Sequence, residues 1–593
     1  MVGFNYKLVF HKGMKKDSVF NIVLLSFVLL CGCEFARSAT PIQPVPFKNI
    51  RIGGELRERV CKNFNRLEEE KYRPDKVFLT EEQSGGWPGD TEGRTILGLV
   101  MDAQASGREP VYLKEILNRI PTYLNKEGYM GPIYEGKMNE QQLSGNGWML
   151  RGLCEYYLWK KDTKILKIIN SIATNLFIKG KGYYSNYPLD PALRDKKVGG
   201  VSGTIQSNLQ NWMLSSDVGC IFIGMEGAIQ AYQILRLPQL KEVIDEMLKI
   251  YLSADLVKLK AQAHATLTGL RGLIRYSDIT GDTKYIEEVA KRWQIYKTYG
   301  MTENFANYNW LTRYSAFTEP CAIIDSYMVA VQMWQHTGNP MYRNDAEMIY
   351  YNAICHAQRS NGGFGCDDCP GNVSGKCLNV QVDEAHWCCT MRGGEGLGSA
   401  VRYTCFSKDN VVCLPFYHAS EFTAPIRGGK SVTISEVTDY PFSNNVSLNI
   451  IKNTGGQLIL KLAVPYWMNN PKLTLNGKLC PMKVSNDFVA LKANFKKGDK
   501  IVLSFVQSIR YEGTLNKENT KPSQFKIFYG PMLLAAEGNE VVSVSKNDKL
   551  IPLGNLKFKK EGTQIVLSPV YHLMSSQVHQ NAQPPYQRQI IFE

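Results

Sequence analysis

The stretch ATLTGLRGLIRYSDITGDTKYIEEVAKRWQIY (residues 265–296) shows the pattern that decides the fold. Its first part, Ala265 to Asp278, is mostly apolar or small, whereas its second part, Lys284 to Tyr296, carries its charges on one face. Such a pair is typical of a buried helix followed by a half-exposed one. The polar turn Thr280-Gly281-Asp282 separates the two parts, so this stretch predicts a helical hairpin.

The same sequence of apolar helix, polar turn and amphipathic helix recurs between about residues 85 and 410. The turns are Ser106-Gly107-Arg108, Lys161-Asp162-Thr163, Arg236-Leu237-Pro238, Thr280-Gly281-Asp282 and Thr337-Gly338-Asn339. A further apolar helix is expected after Gly393, which gives six hairpins. Six hairpins fit a closed ring, an (α/α)6 toroid, better than an open helical array, which remains the alternative.

After about residue 405 the sequence changes to short runs in which apolar and polar residues alternate. These runs are Val411 to Tyr417, Val446 to Ile451, Gln457 to Val464 and Lys500 to Phe505. The pattern is typical of antiparallel strands, and a chain of 593 residues is too long for a single core. We therefore expect an N-terminal segment (33–84) that packs on a β domain, an (α/α)6 catalytic domain (85–405) and one or two β-sandwich modules (406–593).

The N-terminus predicts export. After a basic start, an apolar run from Val19 to Leu30 leads into Leu30-Cys31-Gly32-Cys33, which resembles a bacterial lipobox. We expect a signal peptide of residues 1–32 and a lipid on Cys33; cleavage near residues 36–39, giving a soluble periplasmic protein, is the alternative. The run is too short to span a bilayer. A lipid anchor in the cell envelope of a Gram-negative bacterium is therefore the membrane contact that we expect.

The composition excludes several classes of protein. Lysine and arginine number 69 against 55 aspartates and glutamates, a net charge of +14, yet no long basic block appears. Nucleic-acid binding is therefore not expected. Fifteen cysteines in 593 residues are too sparse for a disulfide scaffold, although export permits disulfides. A few of these cysteines are thus candidates for chemistry.

In a toroid the inner helices all run in one direction, so the segments that precede them gather on one rim. These segments are 85–92, 143–148, 215–220, 262–264, 317–321 and 386–389. They are rich in glycine, polar and aromatic residues, so we expect a ligand site at this rim. Trp87, Trp148 and Tyr417 are candidate stacking walls, with burial in the core as the alternative, and Asp90 and His264 are candidate polar contacts.

Four residues of the rim are suited to a tetrahedral zinc site, since thiolates suit zinc and a carboxylate completes the set. They are Glu319, Cys321, Cys388 and Cys389. Pro320 favours an extended Glu319 ahead of the helix, so that Glu319 and Cys321 can face the same side. The alternatives are a disulfide between Cys388 and Cys389, or disulfides with three loop cysteines. That loop trio, which is itself open between a disulfide and a second metal site, consists of Cys366, Cys369 and Cys377.

Together with Glu303-Asn304-Phe305, these four residues resemble the signature of glycoside hydrolase family 127, the zinc-dependent β-L-arabinofuranosidases. His264-Ala265 and the segment 462–467 add to the resemblance, which spans roughly residues 50–540. The resemblance implies that Cys388 is the nucleophile and that Glu303 is the acid/base. It also implies that zinc is held by Glu319, Cys321, Cys388 and Cys389.

The activity implied by the resemblance is that of an exo-acting, retaining glycoside hydrolase. A retaining route needs a nucleophile and a proton donor on opposite sides of the anomeric carbon, and here it would pass through a thioglycosyl-enzyme intermediate. Zinc would keep Cys388 deprotonated and would stabilise the thiolate as it departs. The expected substrate is a terminal furanosyl sugar, L-arabinofuranose or the related aceric acid, on plant pectin such as rhamnogalacturonan II.

One departure from the family concerns the residues after the cysteine pair. Thr390-Met391-Arg392 stands where family members have prolines, so contacts with the sugar are expected to differ. Arg392, together with Arg94 and Arg271, could clamp a substrate carboxylate and so favour an acidic glycan. The alternative is that these arginines pair with nearby acidic residues, which are Asp90, Glu92 and Glu395.

Two other functions compete with hydrolysis by a thiolate. One is a non-catalytic, surface glycan-binding lipoprotein with a structural zinc. The other is a toroidal uronide hydrolase or lyase that uses Asp90 or Asp217 as its acid/base. Chelation and thiol alkylation would leave the activity of a uronide hydrolase or lyase intact, which distinguishes it from hydrolysis by a thiolate.

Overall fold

The structure, a computed structural model, describes residues 41–79, 86–194, 203–368, 377–515, 521–538, 540–571 and 587–593. The predicted signal peptide (1–32), the predicted lipidation site Cys33 and the loop cysteine Cys369 lie outside these residues. The elements given below all belong to one unit, residues 43–593. Within the described ranges, no helix is both long and apolar enough to cross a membrane.

The inner wall of a helical ring is formed by six helices of the described chain, called inner helices 1 to 6 in chain order. They are Asp90–Ser106, Glu140–Lys160, Ile221–Leu235, Ala263–Thr280, Pro320–Thr337 and Cys389–Arg402. Each inner helix packs against the next, and inner helix 6 packs against inner helix 1. The predicted (α/α)6 ring is therefore confirmed, and the open array is excluded.

Six further helices form the outer layer of the ring in the part of the chain that the structure describes. They are Gly54–Arg66, Leu113–Tyr123, Thr163–Ile172, Pro238–Ser253, Lys284–Tyr299 and Pro340–Ile349, with the short helices Pro74–Val77, Pro191–Arg194 and Cys355–Ala357 in connections. Gly54–Arg66 packs on inner helices 1 and 6. The ring therefore begins before residue 85, because part of the N-terminal segment closes its outer layer.

Close backbone contact between inner helices explains a glycine-rich stretch of the sequence. A Cβ atom at Gly93 would lie 2.3 Å from the backbone of Trp148, and one at Gly147 would lie 2.7 Å from the Cα atom of Gly224. Only glycine permits this spacing. The expectation that residues 143–148 precede an inner helix is wrong: inner helix 2 begins at Glu140, and these glycines serve packing inside it.

The strands that the structure describes form four sheets. The first contains Gln43–Pro44, Phe406–Lys408, Val411–Leu414, Leu458–Ala463, Val484–Ser485 and Phe488–Ala493. The second contains Ile50–Ile52, Ser420–Ile426, Lys430–Val437, Asn445–Asn453, Asn469–Leu475, Lys478–Cys480 and Lys500–Val506. Burial alternates along strands such as Lys430–Val437, so one face of the second sheet packs inward.

The third sheet joins the ring to the C-terminal part of the chain. It contains Cys366–Asp368, Cys377–Val382, Ile509–Gly513, Phe525–Tyr529, Met532–Glu537, Leu550–Gly554, Lys557–Lys560, Val566–Pro569 and Gln587–Gln589. Its first two strands come from the connection between inner helices 5 and 6, which the sequence assigned to the helical domain. A small fourth sheet, Met138–Asn139, Ile205–Leu209 and Trp212–Ser215, lies within the helical part of the chain.

Candidate active site

A cavity of about 610 Å³ lies at the starts of the inner helices. Residues at the beginning of inner helices 1, 3, 4 and 6 line it, together with Asp217, which precedes inner helix 3, and Glu319, which precedes inner helix 5. Inner helix 2 contributes none of the described lining residues, in keeping with its earlier start. Five of the six rim segments expected from the sequence therefore meet at one cavity.

Two thiols at the floor of this cavity, those of Cys388 and Cys389, form a cluster with the buried thiol of Cys321. The Sγ atom of Cys389 lies 3.2 Å from that of Cys388 and 3.7 Å from that of Cys321. All three are free thiols, so the structure has no disulfide between Cys388 and Cys389. Cys321 and Cys389 are fully buried, whereas Cys388 is half-buried at the cavity surface. Cys388 precedes inner helix 6 and is thus the thiol of this trio that a substrate can reach.

Glu319 completes the cluster. It is extended (φ −121°, ψ 108°) immediately before Pro320, which opens inner helix 5, so the Glu-Pro-Cys segment has the conformation that the sequence predicts. His264 Nδ1 lies 3.1 Å from Glu319 Oε1. Glu319 Oε2 is buried and has no hydrogen-bond partner in the structure. A buried carboxylate oxygen is costly to leave unpaired, so this atom is suited to a cation.

The electrostatics of the thiols also fit a cation. Burial alone would raise the pKa of the Cys321 thiol, but hydrogen bonds from Cys388 and Cys389, with Arg94 and His264 nearby, hold that pKa well below its ordinary value. The contact with Cys321 raises the pKa of Cys388 well above its ordinary value, and burial does the same for Cys389. Three thiolates this close together require positive charge between them. Cys321, Cys388 and Cys389 lie close enough together to hold one metal ion, as do His264, Glu319 and Cys321, and the thiolates suit an ion that prefers sulfur.

A layer of buried charges lies beneath the floor. Asp325 Oδ1 accepts hydrogen bonds from Arg392 at 2.6 Å and from Arg271 at 2.9 Å, and its Oδ2 atom lies 3.4 Å from His264 Nε2. Glu395 is paired with both arginines as well. Although burial opposes ionisation, Arg392 and Arg271 hold the pKa of Asp325 well below its usual range. No sequence motif singles out Asp325, because its role depends on its neighbours in space.

The contacts in this layer show whether the three arginines clamp a substrate carboxylate or pair with acidic residues of the protein. Arg392 and Arg271 are buried in ion pairs and do not line the cavity. Arg94 does line it, but both guanidinium edges are used: it forms two bonds to Asp90, at 2.6 and 2.9 Å, and donates to Cys321 Sγ at 3.2 Å. The predicted carboxylate clamp, including substrate contact by Arg392, is therefore wrong, and the paired alternative holds for all three arginines.

Of the three aromatic residues considered as stacking walls, one lines the cavity and two are buried away from it. Trp87 lines the cavity, with its Nε1 atom donating to the carbonyl of Gly203 at 3.0 Å. Trp148 is fully buried beneath His264, with the guanidinium of Arg94 4.0 Å from its ring centroid, so it supports the site from below and is no stacking wall. Tyr417 is fully buried and donates its hydroxyl to Ala463 at 2.5 Å, away from the cavity. Stacking by Trp148 and Tyr417 is thus excluded.

Glu303 also lies away from the cavity. Its carboxylate is fully buried, with Oε2 3.0 Å from Lys526 Nζ and accepting from the Leu515 amide at 2.8 Å. Lys526 belongs to the third sheet, so Glu303 bridges the ring and that sheet. The structure does not bring Glu303 together with the thiols, in contrast to the acid/base role that the resemblance implies. The carboxylates that do line the cavity are Asp90, Asp217 and Glu319.

The loop cysteines are free thiols where the structure describes them. Cys366 is buried at the cavity wall, and Cys377 lies in the neighbouring strand of the third sheet. Neither forms a disulfide. Cys366 adjoins the thiol cluster, because after burial and the contact with Cys321 a hydrogen bond with Cys366 helps to raise the pKa of Cys389. Two cavity residues that the sequence did not single out are Trp387 and Gln381. Only their positions in the sequence could have pointed to them. Trp387 directly precedes Cys388, and Gln381 lies in the strand that leads to it.

Comparison with known proteins agrees with this architecture. Residues 260–400 match the family described as β-L-arabinofuranosidase, GH127 catalytic domain, and residues 411–506 match the one described as β-L-arabinofuranosidase, GH127 middle domain. No curated protein sequence matches the chain.

Solved structures share the fold at low sequence identity. A GH127 β-arabinofuranosidase is 15% identical, with a TM-score of 0.68 over 93% of this chain and 98% of its own. A protein described as a glycoside hydrolase is 14% identical, with a TM-score of 0.68 over 94% and 98%. A GH127 β-L-arabinofuranosidase from Geobacillus stearothermophilus T6 is 12% identical, with a TM-score of 0.65 over 92% and 100%.

The chain has a closed (α/α)6 ring with a cavity at its inner-helix starts, followed by β sheets, and the match of residues 260–400 to a glycosidase catalytic domain indicates that it is a glycosidase. The carboxylate and thiols at the cavity floor give that class an unusual set of reactive groups. The matches of residues 260–400 to the catalytic domain and of residues 411–506 to the middle domain support membership of glycoside hydrolase family 127.

Proposed function

We propose that the chain is an exo-acting, retaining glycosidase that removes a terminal L-arabinofuranosyl residue from a plant cell-wall glycan. The observation that carries this proposal is the thiol cluster at the cavity floor, in which Cys388 alone of the described lining cysteines is half-buried. The names of the matched family domains support the choice of sugar. As a glycosidase, the chain is not the non-catalytic binding protein considered from the sequence.

In the proposed reaction, Cys388 Sγ attacks the anomeric carbon while the bond from that carbon to the leaving oxygen breaks. The leaving oxygen takes a proton from a carboxyl group, and the resulting carboxylate then deprotonates the water that displaces the thiolate. Two displacements retain the anomeric configuration. A zinc ion held by Glu319, Cys321, Cys388 and Cys389 would supply the positive charge that keeps the sulfur ionised and stabilises it as a leaving group.

Two carboxyl groups are candidates for the proton transfer. The resemblance implies Glu303, but its contacts with Lys526 and Leu515 hold its carboxylate outside the cavity. Asp217 lines the cavity and is nearly buried. Asp90 is less suited, because both of its oxygens are engaged by Arg94.

The lining favours a neutral sugar over aceric acid. A substrate carboxylate would need a cation with unused donors, and Arg94 is the one arginine or lysine among the described lining residues. Its bonds to Asp90 and Cys321 already occupy it. L-arabinofuranose therefore fits the cavity better than aceric acid, and rhamnogalacturonan II is retained as one plant pectin that carries such terminal sugars.

From the N-terminal sequence alone, we also propose that the protein is exported and lipid-anchored at Cys33 in the cell envelope. Metabolic labelling with a radioactive fatty acid tests this proposal. Label that is lost in the variant Cys33→Ala supports it, and an unlabelled wild-type protein contradicts it.

Hydrolysis of an aryl β-L-arabinofuranoside, followed by proton NMR, tests the activity. The expected result is initial release of the β-anomer, loss of the activity on chelation and recovery with zinc. Initial release of the α-anomer would contradict the double displacement. Hydrolysis that survives both chelation and thiol alkylation would favour the toroidal uronide-hydrolase chemistry with Asp217 as acid/base.

A further inference from the structure

Trp387 is unusual among the tryptophans of this chain. All nine tryptophans lie in described residues, and Trp387 is the one with a largely exposed side chain, at 52%. It lines the cavity, and its ring contacts that of His386 edge-on at a centroid distance of 5.1 Å. A large exposed indole at the mouth of a cavity indicates a surface that a ligand covers.

Trp387 and the two residues that follow it in the chain lie at successive depths of the cavity. Cys389 is fully buried at the floor, Cys388 is half-buried above it, and Trp387 is exposed at the mouth. Because the nucleophile attacks from the floor, in-line displacement directs the leaving oxygen away from Cys388 and towards the mouth. The group attached to that oxygen therefore departs on the side where the indole lies.

The cavity has room for such a group. Its volume of about 610 Å³ is several times that of one furanose ring and lies within the range of about 300–1,000 Å³ that holds drug-sized ligands. Gln381, an exposed residue at the end of the strand Cys377–Val382, lines the same cavity. An aromatic face and a nearby amide match a pyranose, which offers an apolar face of C–H groups and a rim of hydroxyls.

We propose that Trp387 is the platform of a leaving-group subsite, on which the pyranose ring next to the terminal furanose stacks. The preferred substrate is then an oligosaccharide with a neutral terminal furanose linked to a pyranose. This proposal rests on the proposed function and specifies the part of the substrate that is released.

The test compares two substrates that share the furanosyl group and differ in what leaves. One is a disaccharide in which L-arabinofuranose is β-linked to a pyranose; the other is β-L-arabinofuranosyl fluoride, whose leaving group cannot stack. For Trp387→Ala, kcat/KM on the disaccharide should fall about 10- to 100-fold, with kcat/KM on the fluoride unchanged within about twofold. Trp387→Phe, which keeps an aromatic face, should recover most of the loss.

Trp159→Ala is the matched control, because Trp159 lies at the far end of inner helix 2, remote from the cavity. It should leave both substrates unaffected. An equal loss on both substrates in Trp387→Ala, or no loss on either, would overturn the platform. A wild-type enzyme that cleaves the fluoride but not the disaccharide would also overturn it, whereas failure on both substrates would refute the proposed function itself.

Discussion

The ring and the second sheet fill their interiors with different side chains. Beneath the cavity, the ring buries Arg271, Arg392 and Asp325 at 4% exposure or less. The second sheet buries aliphatic residues such as Leu448 and Leu503 in the equivalent inward positions. Removing an ion from water costs several kcal/mol, and well-packed apolar residues of similar size are often at least as stabilising as a buried ion pair.

The charged interior of the ring therefore serves the site more than it stabilises the fold. Asp325 contacts His264, His264 contacts Glu319, and the second oxygen of Glu319 is buried without a hydrogen-bond partner. The charges thus orient the carboxylate of Glu319, the candidate metal ligand, as outer partners of metal ligands commonly do. The second sheet contains no comparable chain among its described residues, and it is expected to tolerate changes that the ring does not.

The ring and the sheets should differ most in how far the replacement of a cysteine lowers kcat. Cys388→Ala should lower kcat by about 10⁴-fold or more, because the nucleophile is lost. Steady-state kinetics with an aryl arabinofuranoside measures this effect. Cys413→Ala, at a buried position in the first sheet, is the matched control and should change kcat by less than about twofold, even where stability falls. Comparable losses in both variants would contradict a special role for Cys388.

The identity of the acid/base residue shows whether the third sheet takes part in the chemistry. Glu303 contacts that sheet through Lys526, whereas Asp217 lies in the ring. Removing the acid/base should lower kcat about 10²- to 10⁴-fold. The loss should shrink for substrates with good leaving groups, and added azide should restore turnover. If Asp217→Asn shows this behaviour and Glu303→Gln does not, the ring alone supplies the chemistry. The reverse result would show that Glu303 leaves its ion pair to reach the substrate.

Breaking the buried charge layer should cost far more stability than breaking an ion pair on the sheets. Asp325→Asn removes the charge of one of the two carboxylates that Arg271 and Arg392 share, the other being Glu395, and should lower the free energy of unfolding by about 3–5 kcal/mol. Lys549→Met removes an exposed pair with Glu561 in the third sheet and should cost less than about 1 kcal/mol. Chemical denaturation measures both. Similar costs in the two variants would remove the distinction between the regions.

The smallest effect concerns His264, which connects the charge layer with Glu319. His264→Asn keeps a donor near the position of Nδ1, which faces Glu319, whereas His264→Gln places its donor near that of Nε2, which faces Asp325. His264→Gln should weaken metal binding about 10- to 100-fold, and His264→Asn should retain most of the affinity. Competition with a chelator, read out by the absorbance of the cobalt-substituted protein, measures it. Equal affinities would show that His264 does not position Glu319.

Much of the fold and part of the site could be predicted from the sequence. The repeated helix pair gives the ring, and Pro320 gives the extended entry that brings Glu319 to Cys321. The pairing of Arg392 could not be predicted, because it depends on Asp325, a residue within an apolar helix that gains significance only through its neighbours. The stretch 143–148 was misassigned because glycines that permit close helix packing resemble glycines of a loop.

The contribution of the connection before inner helix 6 to the third sheet was also hidden from the sequence. Cys377–Val382 pairs with Gln587–Gln589, more than two hundred residues later in the chain. Local patterns identify strands but carry little information on such distant partners. The same limit applies to Glu303, whose contact with Lys526 is equally remote in sequence.

The central claim is that Cys388 forms a covalent bond with the sugar. Peptide mass spectrometry after incubation with a slowly turned-over furanosyl donor tests it most directly, with the zinc-loaded full-length protein. One glycosyl mass is expected on the peptide that contains Cys388, with no such adduct in Cys388→Ala. An adduct on a carboxylate such as Asp217 or Glu303 would contradict the claim.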